Sequence, residues 1–361
     1  MRDRLRVALF SLLLGCSVRL DLGAAPLEAP STRRLVLTQD LVCALSGAEE
    51  MRCAPRRAPR VSFACAADGC AAVDGALAVV GGAGHWCALR RGAQVRCGGA
   101  NDRGQLGIGS FVEARSAAVP GVASVVALGA GYHHTCVVTE EGSARATLCW
   151  GEAEHGALGV ASARTDPAPR TRPVALGAPV AARFAELVGG EAHACARTVE
   201  GAVWCWGRNA RGQLGDGSRE TRFEPVPIPL GRRVVGLAAG AEHTCAIDDG
   251  AALWCWGRND QGQLGDGSRE DRAAPVRVEG VPPLRALVGG RLSTCAIDTM
   301  DQLWCWGATQ PALVPARALP GVRVDAVGLF EDDVCASLAG SEHACCARGV
   351  AALGPCLSTD G

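Results

Sequence analysis

No lysine occurs in the 361 residues, so all 36 basic side chains are arginine, set against 37 acidic ones for a formal net charge of −1. That balance leaves no basic footprint of the kind that draws a protein to nucleic acid. Long apolar runs are also missing: the run VALFSLLL near the start has eight residues, far short of the ~20 that cross a bilayer as a helix. Helix-period patterning is scarce, and with it the grounds for a helical fold. The signatures of common catalysts are absent too. There is no GxSxG, no HExxH, no paired-carboxylate arrangement and no P-loop lysine behind the glycine-rich turns. What is present in quantity is glycine, 47 residues, in a chain that is 48% hydrophobic. This combination favours many short strands joined by tight turns, an all-β protein.

The first fifteen residues read as a secretion signal, with Arg2, Arg4 and Arg6 ahead of the apolar run and Gly15 and Cys16 behind it. The string LLGC, Leu13 to Cys16, resembles the bacterial lipobox, in which the signal is cut before the cysteine and the thiol receives a diacylglycerol. The resemblance implies lipidation at Cys16, with residues 16–33 as a flexible tether and residues 34–361 as the folded body. Buried acyl chains contribute ~0.8 kcal/mol per methylene, so the membrane is expected to be reached through the lipid alone. Ser17 is not the aspartate associated with inner-membrane retention, which directs the expectation to the outer membrane or cell surface. The periplasm is the alternative, if the cysteine follows an ordinary signal by chance. Losing residues 1–15 removes three arginines and one aspartate, leaving the mature chain at −3.

Internal repeats organise the remainder. The segment LAAGAEHTCAIDDGAALWCWGRNDQGQLGDG (Leu237 to Gly267) recurs as LVGGEAHACARTVEGAVWCWGRNARGQLGDG (Leu187 to Gly217) and, shortened, as LVGGRLSTCAIDTMDQLWCWG (Leu287 to Gly307). Aligned on cysteines, seven units result, their first cysteines separated by 44, 49, 59, 50, 50 and 40 residues. Within the unit around Cys245, HTCAI and LWCWG are β-prone and DDGA supplies turn residues, which predicts a hairpin. If Cys245 faces Cys255, then Thr244 faces Trp256 and Ala246 faces Trp254, so the tryptophans share one sheet face and the cysteines the other. Pro275–Val278 and Leu284–Val288 offer two more strands.

The stretches CWGRNxxGQLGDG (Cys205 to Gly217, Cys255 to Gly267) and GxxHTCA resemble the regulator of chromosome condensation repeat family. The resemblance covers about residues 34 to 349 and implies a seven-bladed β-propeller with about four antiparallel strands per blade. It weakens at the ends, where CAPRRAP, CWGATQP and CCARG replace the GQLG turn, so the first and last blades are expected to meet there.

Nineteen cysteines in an exported chain are read first as disulfides. Setting Cys16 aside for lipid, the hairpin pairs are Cys43–Cys53, Cys87–Cys97, Cys136–Cys149, Cys195–Cys205, Cys245–Cys255, Cys295–Cys305 and Cys335–Cys345, with Cys65–Cys70 and Cys346–Cys356 completing the set. Cys345 and Cys346 are adjacent, so either can pair with Cys335. No clustered Cys or His pairs at metal spacing occur, and no metal or other cofactor is expected.

His85, His134, His193 and His243 hold one repeat position, two residues before the first hairpin cysteine. A ring of imidazoles around an axis can bind an anion or a metal; a repeated residue in a repeated unit more often serves that unit's own hydrogen bonding. Trp204, Trp206, Trp254, Trp256, Trp304 and Trp306 offer platforms for sugars or bases, with core packing the plainer reading. The expectation is therefore a monomeric, non-catalytic binding or scaffold module, not an enzyme. It would present loops such as Ala161–Leu176 and Pro55–Cys70 to a protein, peptide or glycan. The alternative implied by the resemblance is guanine-nucleotide exchange on a small GTPase.

Overall fold

Each repeat folds where its turn residues interrupt the apolar runs. In the best-formed unit, His243–Asp248 and Leu253–Gly257 pair across a turn in which Ala251 takes φ 62°. The Asp248 carboxylate holds that turn by accepting the backbone N–H groups of Gly250 and Ala252. The computed structural model describes residues 34–38, 41–45, 50–55, 60–62, 71–166, 168–176, 182–310, 312–331, 333–338, 343–350 and 353. Cys16, the expected lipidation site, the expected tether, and Cys65, Cys70 and Cys356 lie outside them.

The described residues form an all-β propeller whose blades are antiparallel four-stranded sheets, seven such sheets in all. Five are built from four consecutive strands. The second sheet is Ala76–Gly81, His85–Arg90, Gln94–Gly99 and Ala114–Ala118; the third is Val125–Ala130, His134–Glu141, Ala144–Gly151 and Arg170–Ala175. The fourth is Phe184–Gly189, His193–Thr198, Val203–Gly207 and Arg222–Pro227, and the fifth is Val234–Ala239, His243–Asp248, Leu253–Gly257 and Arg272–Val278. The sixth is Leu284–Gly289, Ser293–Asp298, Leu303–Gly307 and Ala312–Arg317.

The two remaining sheets share the N-terminal stretch. Arg34–Leu37, Leu41–Leu45, Glu50–Pro55 and Ala71–Asp74 make the first, and the strand between its last two members, Arg60–Ser62, leaves it. Arg60–Ser62 instead pairs with His343–Arg348, completing a sheet begun by Ala326–Phe330 and Asp333–Ser337. Part of Pro55–Cys70, expected as a variable binding loop, is therefore a structural strand. Pairing the two chain ends in one sheet removes an open junction between them.

Among the described residues, disulfides join the hairpins at Cys43–Cys53, Cys87–Cys97, Cys136–Cys149, Cys195–Cys205, Cys245–Cys255 and Cys295–Cys305, with Cα atoms 4.0–4.1 Å apart. Each pair stands directly opposite in the register. The close approach has a simple origin. Arg258 N–H donates to the Glu242 carbonyl at 2.8 Å, which makes His243 and Gly257, and two residues on Cys245 and Cys255, non-hydrogen-bonded pairs, the closer of the two antiparallel spacings. The last hairpin differs from the others in its register. Its register sets Cys346 opposite Cys335 and moves Cys345 opposite Ala336, and Cys335 is disulfide-bonded. Of the two partners open to Cys335, the register places Cys346 opposite it; Cys356 lies outside the described residues. Thiols bridged in this number persist in oxidising surroundings.

Stability resides between sheets. One apolar cluster joins Val188, Cys195 and Val203 of the fourth sheet to Leu237, Ala246 and Trp256 of the fifth, and the same pattern recurs at other seams. Trp206, Trp256 and Trp306 are fully buried in these seams, and each withdraws roughly 200 Å² from water, a gross gain of about 5 kcal/mol. Trp204, Trp254 and Trp304 sit on the same sheet face, half-buried. The indoles of Trp254 and Trp304 donate to Asp248 and Asp298 at 3.0 and 2.9 Å.

Candidate functional site

The first strands of all seven sheets surround a cavity of about 60 Å³ lined by glycines and aliphatic side chains, among them Gly82, Gly131, Gly189, Gly240, Gly328 and Val188. Space for about two waters is available there. Tyr132 and Phe330, from sheets on opposite sides, meet beside it with ring centroids 5.7 Å apart. None of the repeat histidines lines the cavity.

His85, His134, His193 and His243 instead lie one layer out, buried at the seams between sheets. His85, His193 and His243 each reach a threonine of the following sheet: Nε2 lies 2.9 Å from Thr135 Oγ1, 3.0 Å from Thr244 Oγ1 and 2.9 Å from Thr294 Oγ1. Each threonine hydroxyl donates its one proton to a backbone carbonyl, that of Gln105, Gln213 or Gln263, at 3.1, 2.9 and 2.8 Å. The hydroxyl must then accept from the imidazole, so Nε2 carries a proton. Burial holds these rings far below the usual imidazole pKa, to about 3 for His85 and His193 and about 4 for His134 and His243. Neighbouring positive charge adds to it, such as His134 beside His85 and Arg258 beside His243. At neutral pH all four are uncharged, and His85, His193 and His243 are structural donors.

The GQLG turn completes this seam. The Gln105 carbonyl also accepts the Trp150 indole N–H at 2.9 Å, and the Gln263 carbonyl accepts that of Trp306 at 2.8 Å. Thr135 faces Trp150 in the register and Thr294 faces Trp306, so two cross-strand neighbours converge on one carbonyl of the preceding sheet. The turn is held by its own side chains. Asn259 Oδ1 accepts Leu264 N–H at 3.0 Å while its amide donates to Asp266 at 2.9 Å, and Gln263 Oε1 accepts Gln261 N–H at 2.9 Å. These glycine-rich turns are clasps between sheets, with most of their polar groups engaged in the turn or the seam.

One seam is incomplete. Opposite His134 the following sheet presents Ala194 where the others have threonine, and neither nitrogen of His134 has a hydrogen-bond partner. Sequence comparison of the units carries that signal, since Ala194 stands where Thr135, Thr244 and Thr294 stand, but its meaning needs the seam geometry.

The loop Ala161–Leu176, a candidate contact loop, packs on its neighbour. Ala163 is buried, and the Arg164 guanidinium lies 5.0 Å from the Phe223 ring centroid on the outer strand of the fourth sheet. Among the described residues no cluster of three or more His, Cys, Asp or Glu side chains is placed to hold a metal. No helix of the described residues is long and apolar enough to cross a membrane.

Two models of the regulator of chromosome condensation (RCC1) repeat match the chain, one at residues 200–247 and 251–297, the other at 184–213 and 234–263. Among curated proteins, the chain is 33% identical over 101 residues to the probable E3 ubiquitin-protein ligase HERC4 of Homo sapiens, 28% of this chain and 9% of that one. It is 32% identical over 156 residues to the ultraviolet-B receptor UVR8 of Arabidopsis thaliana, 42% of this chain and 34% of that one. The match thus spans a tenth to a third of these relatives. Among solved structures, human WBSCR16 superposes with a TM-score of 0.70 at 16% identity, covering 90% of this chain and 89% of that one. Prp20p of Saccharomyces cerevisiae gives 0.66 at 17%, covering 82% and 80%. At these identities the likeness is one of fold.

Proposed function

We propose that this chain, whose central residues 184–297 match the regulator of chromosome condensation repeat, is a non-catalytic binding or scaffold module that presents propeller loops to a protein, peptide or glycan. In this reading the seven sheets are the blades of one ring, closed by Arg60–Ser62. The mature chain begins at Cys16, whose diacylglycerol holds it at the outer membrane or surface of a bacterial envelope. The disulfides support an exported chain.

The carrying observation is the use of the repeat's polar groups. Three of the four imidazoles, with the threonine hydroxyls and glutamine carbonyls they meet, are engaged in joining sheet to sheet, and the asparagine amides in holding the turns, which leaves variation in loop composition as the means of recognition. The fold lends itself to this: yeast Prp20 is described bound to Kap60 and as binding Gsp1p and histones.

Two measurements test the reading. Incorporation of labelled fatty acid, compared between wild type and Cys16→Ala, is expected to be lost in the variant; label independent of Cys16 removes the anchor. Release of a fluorescent guanine nucleotide from a small GTPase is expected to be unaffected by the purified chain. Catalysed release would replace the scaffold reading with nucleotide exchange.

A further inference from the structure

The outer strand of each blade is an exposed edge, and an unguarded edge is a template for another strand. Four outer strands carry proline at one shared place. Pro173, Pro225, Pro275 and Pro315 immediately precede Val174, Val226, Val276 and Ala316, the residues opposite Cys149, Cys205, Cys255 and Cys305. In the fourth sheet Ile228 N–H donates to the Val203 carbonyl at 2.9 Å. This alternation makes Val226 face inward to the ladder and turns the backbone of Pro225 outward. Proline there deletes the outward N–H that an added strand would use.

The second sheet lacks this guard. Ala117 lies opposite Cys97, and the residue before it is Ser116. Val119 N–H donates to the Val95 carbonyl at 3.1 Å, so the same alternation points the N–H groups of Ser116 and Ala118 away from the sheet. The Ser116 carbonyl accepts Arg96 Nη2 at 2.8 Å, which leaves the two donors and the Ala118 carbonyl on the open side.

Immediately before this strand, Phe111 and Val112 are 53% and 69% exposed, two of the four large hydrophobic side chains so exposed among the described residues. The fourth and fifth sheets carry Arg219–Glu220 and Arg269–Glu270 at the same place after Gly-Ser. The apolar pair is held out rigidly. The Asn101 amide donates to the Ser110 and Val112 carbonyls at 2.8 and 2.9 Å, and Gly109 N–H donates to the Thr171 carbonyl at 2.7 Å. Arg115 and Arg172 are exposed on this rim against Glu113, a net positive surround.

We propose that the edge Ala114–Ala118, together with Phe111 and Val112, is a docking site for an extended segment of a partner protein. That segment, apolar at alternate positions and bearing acidic residues, adds as a fifth strand to the second sheet. Backbone pairing to an edge supplies affinity in this mode and side-chain alternation supplies selectivity; the acidic residues meet Arg115 and Arg172. The inference deepens the binding-module reading and names its surface.

The test selects a phage-displayed library of random dodecapeptides on the wild-type chain. The selected peptides are then measured against two variants, both checked for an unchanged melting transition. Ser116→Pro installs the guard of the sister strands, and Phe111→Arg with Val112→Glu installs the sister loop chemistry. Peptides alternating apolar residues with Asp or Glu are expected, binding at least tenfold more weakly to each variant. If Ser116→Pro fails to fold, the loop variant carries the comparison alone. No enrichment, or equal binding to the folded variants, overturns the site. Peptides that bind elsewhere would leave the module reading standing. A concentration-dependent dimer of the wild type that Phe111→Arg with Val112→Glu abolishes would assign the edge to a second copy and overturn the peptide.

Discussion

The incomplete seam at His134 allows a stabilising substitution, Ala194→Thr. Three sister seams show what the hydroxyl would do: accept the proton of the imidazole Nε2 and donate its own to a carbonyl of the preceding sheet. The carbonyl in the equivalent place is that of Ala157, which already accepts the Trp206 indole at 3.0 Å. The His134 ring is also turned over relative to its sisters. A Cβ on Gly131 would lie 2.6 Å from its Nε2, whereas on Gly82, Gly190 and Gly240 the close nitrogen is Nδ1. Satisfying a buried donor recovers about 1–3 kcal/mol, and two added heavy atoms in a closed seam cost about 1–2 kcal/mol in packing adjustments. A net gain of about 1 kcal/mol is expected, because the seam need only reach a geometry its neighbours already hold. Guanidinium unfolding with disulfides intact should show a higher midpoint at unchanged slope. Imidazole nitrogen NMR should show His134 turned to an Nε2–H bonded tautomer. A lower midpoint, or a raised one with the ring unchanged, would refute the seam argument.

Three further outcomes follow from the same geometry. The four buried imidazoles have folded pKa values of about 3 to 4 against 6.5 unfolded, so the unfolded chain takes up their protons first. Their contribution is complete above pH 6.5 and is lost as pH falls toward 4, by about 2 kcal/mol per ring at pH 5; unfolding midpoints across pH 7 to 4.5 check this, and a flat profile would contradict it. Gly240→Ala should abolish folding or lower stability by several kcal/mol, because a Cβ there would lie 2.0 Å from the His243 ring and 2.4 Å from the Gly290 carbonyl; soluble yield and melting transition read it. Replacing Cys245 and Cys255 together by alanine should cost about 2–3 kcal/mol by freeing a loop of about ten residues in the unfolded chain, while the remaining disulfides keep the native fold by circular dichroism.

Much of the fold is legible because it is local. The interval of ten residues between Cys245 and Cys255 brackets a turn whose Asp248 bonds its own backbone, so hairpin, register and bridge can be read from one short string. The last hairpin shows the limit. Cys345 and Cys346 are equivalent to a local reading, and strand pairing decides that Cys346 faces Cys335. The histidines show a second limit, since recurrence at one position says the environment repeats but not which way it faces.

The residues alone determined an all-β chain of repeated cysteine-bracketed hairpins, because short-range turn chemistry and strand alternation set those features without reference to the remainder of the molecule. Contacts between sheets decided the rest: that His85, His193 and His243 bond the next sheet, that His134 finds no partner there, and that Arg60–Ser62 joins the far end of the chain. Such contacts link positions about fifty residues apart or more, where no local spacing rule reaches.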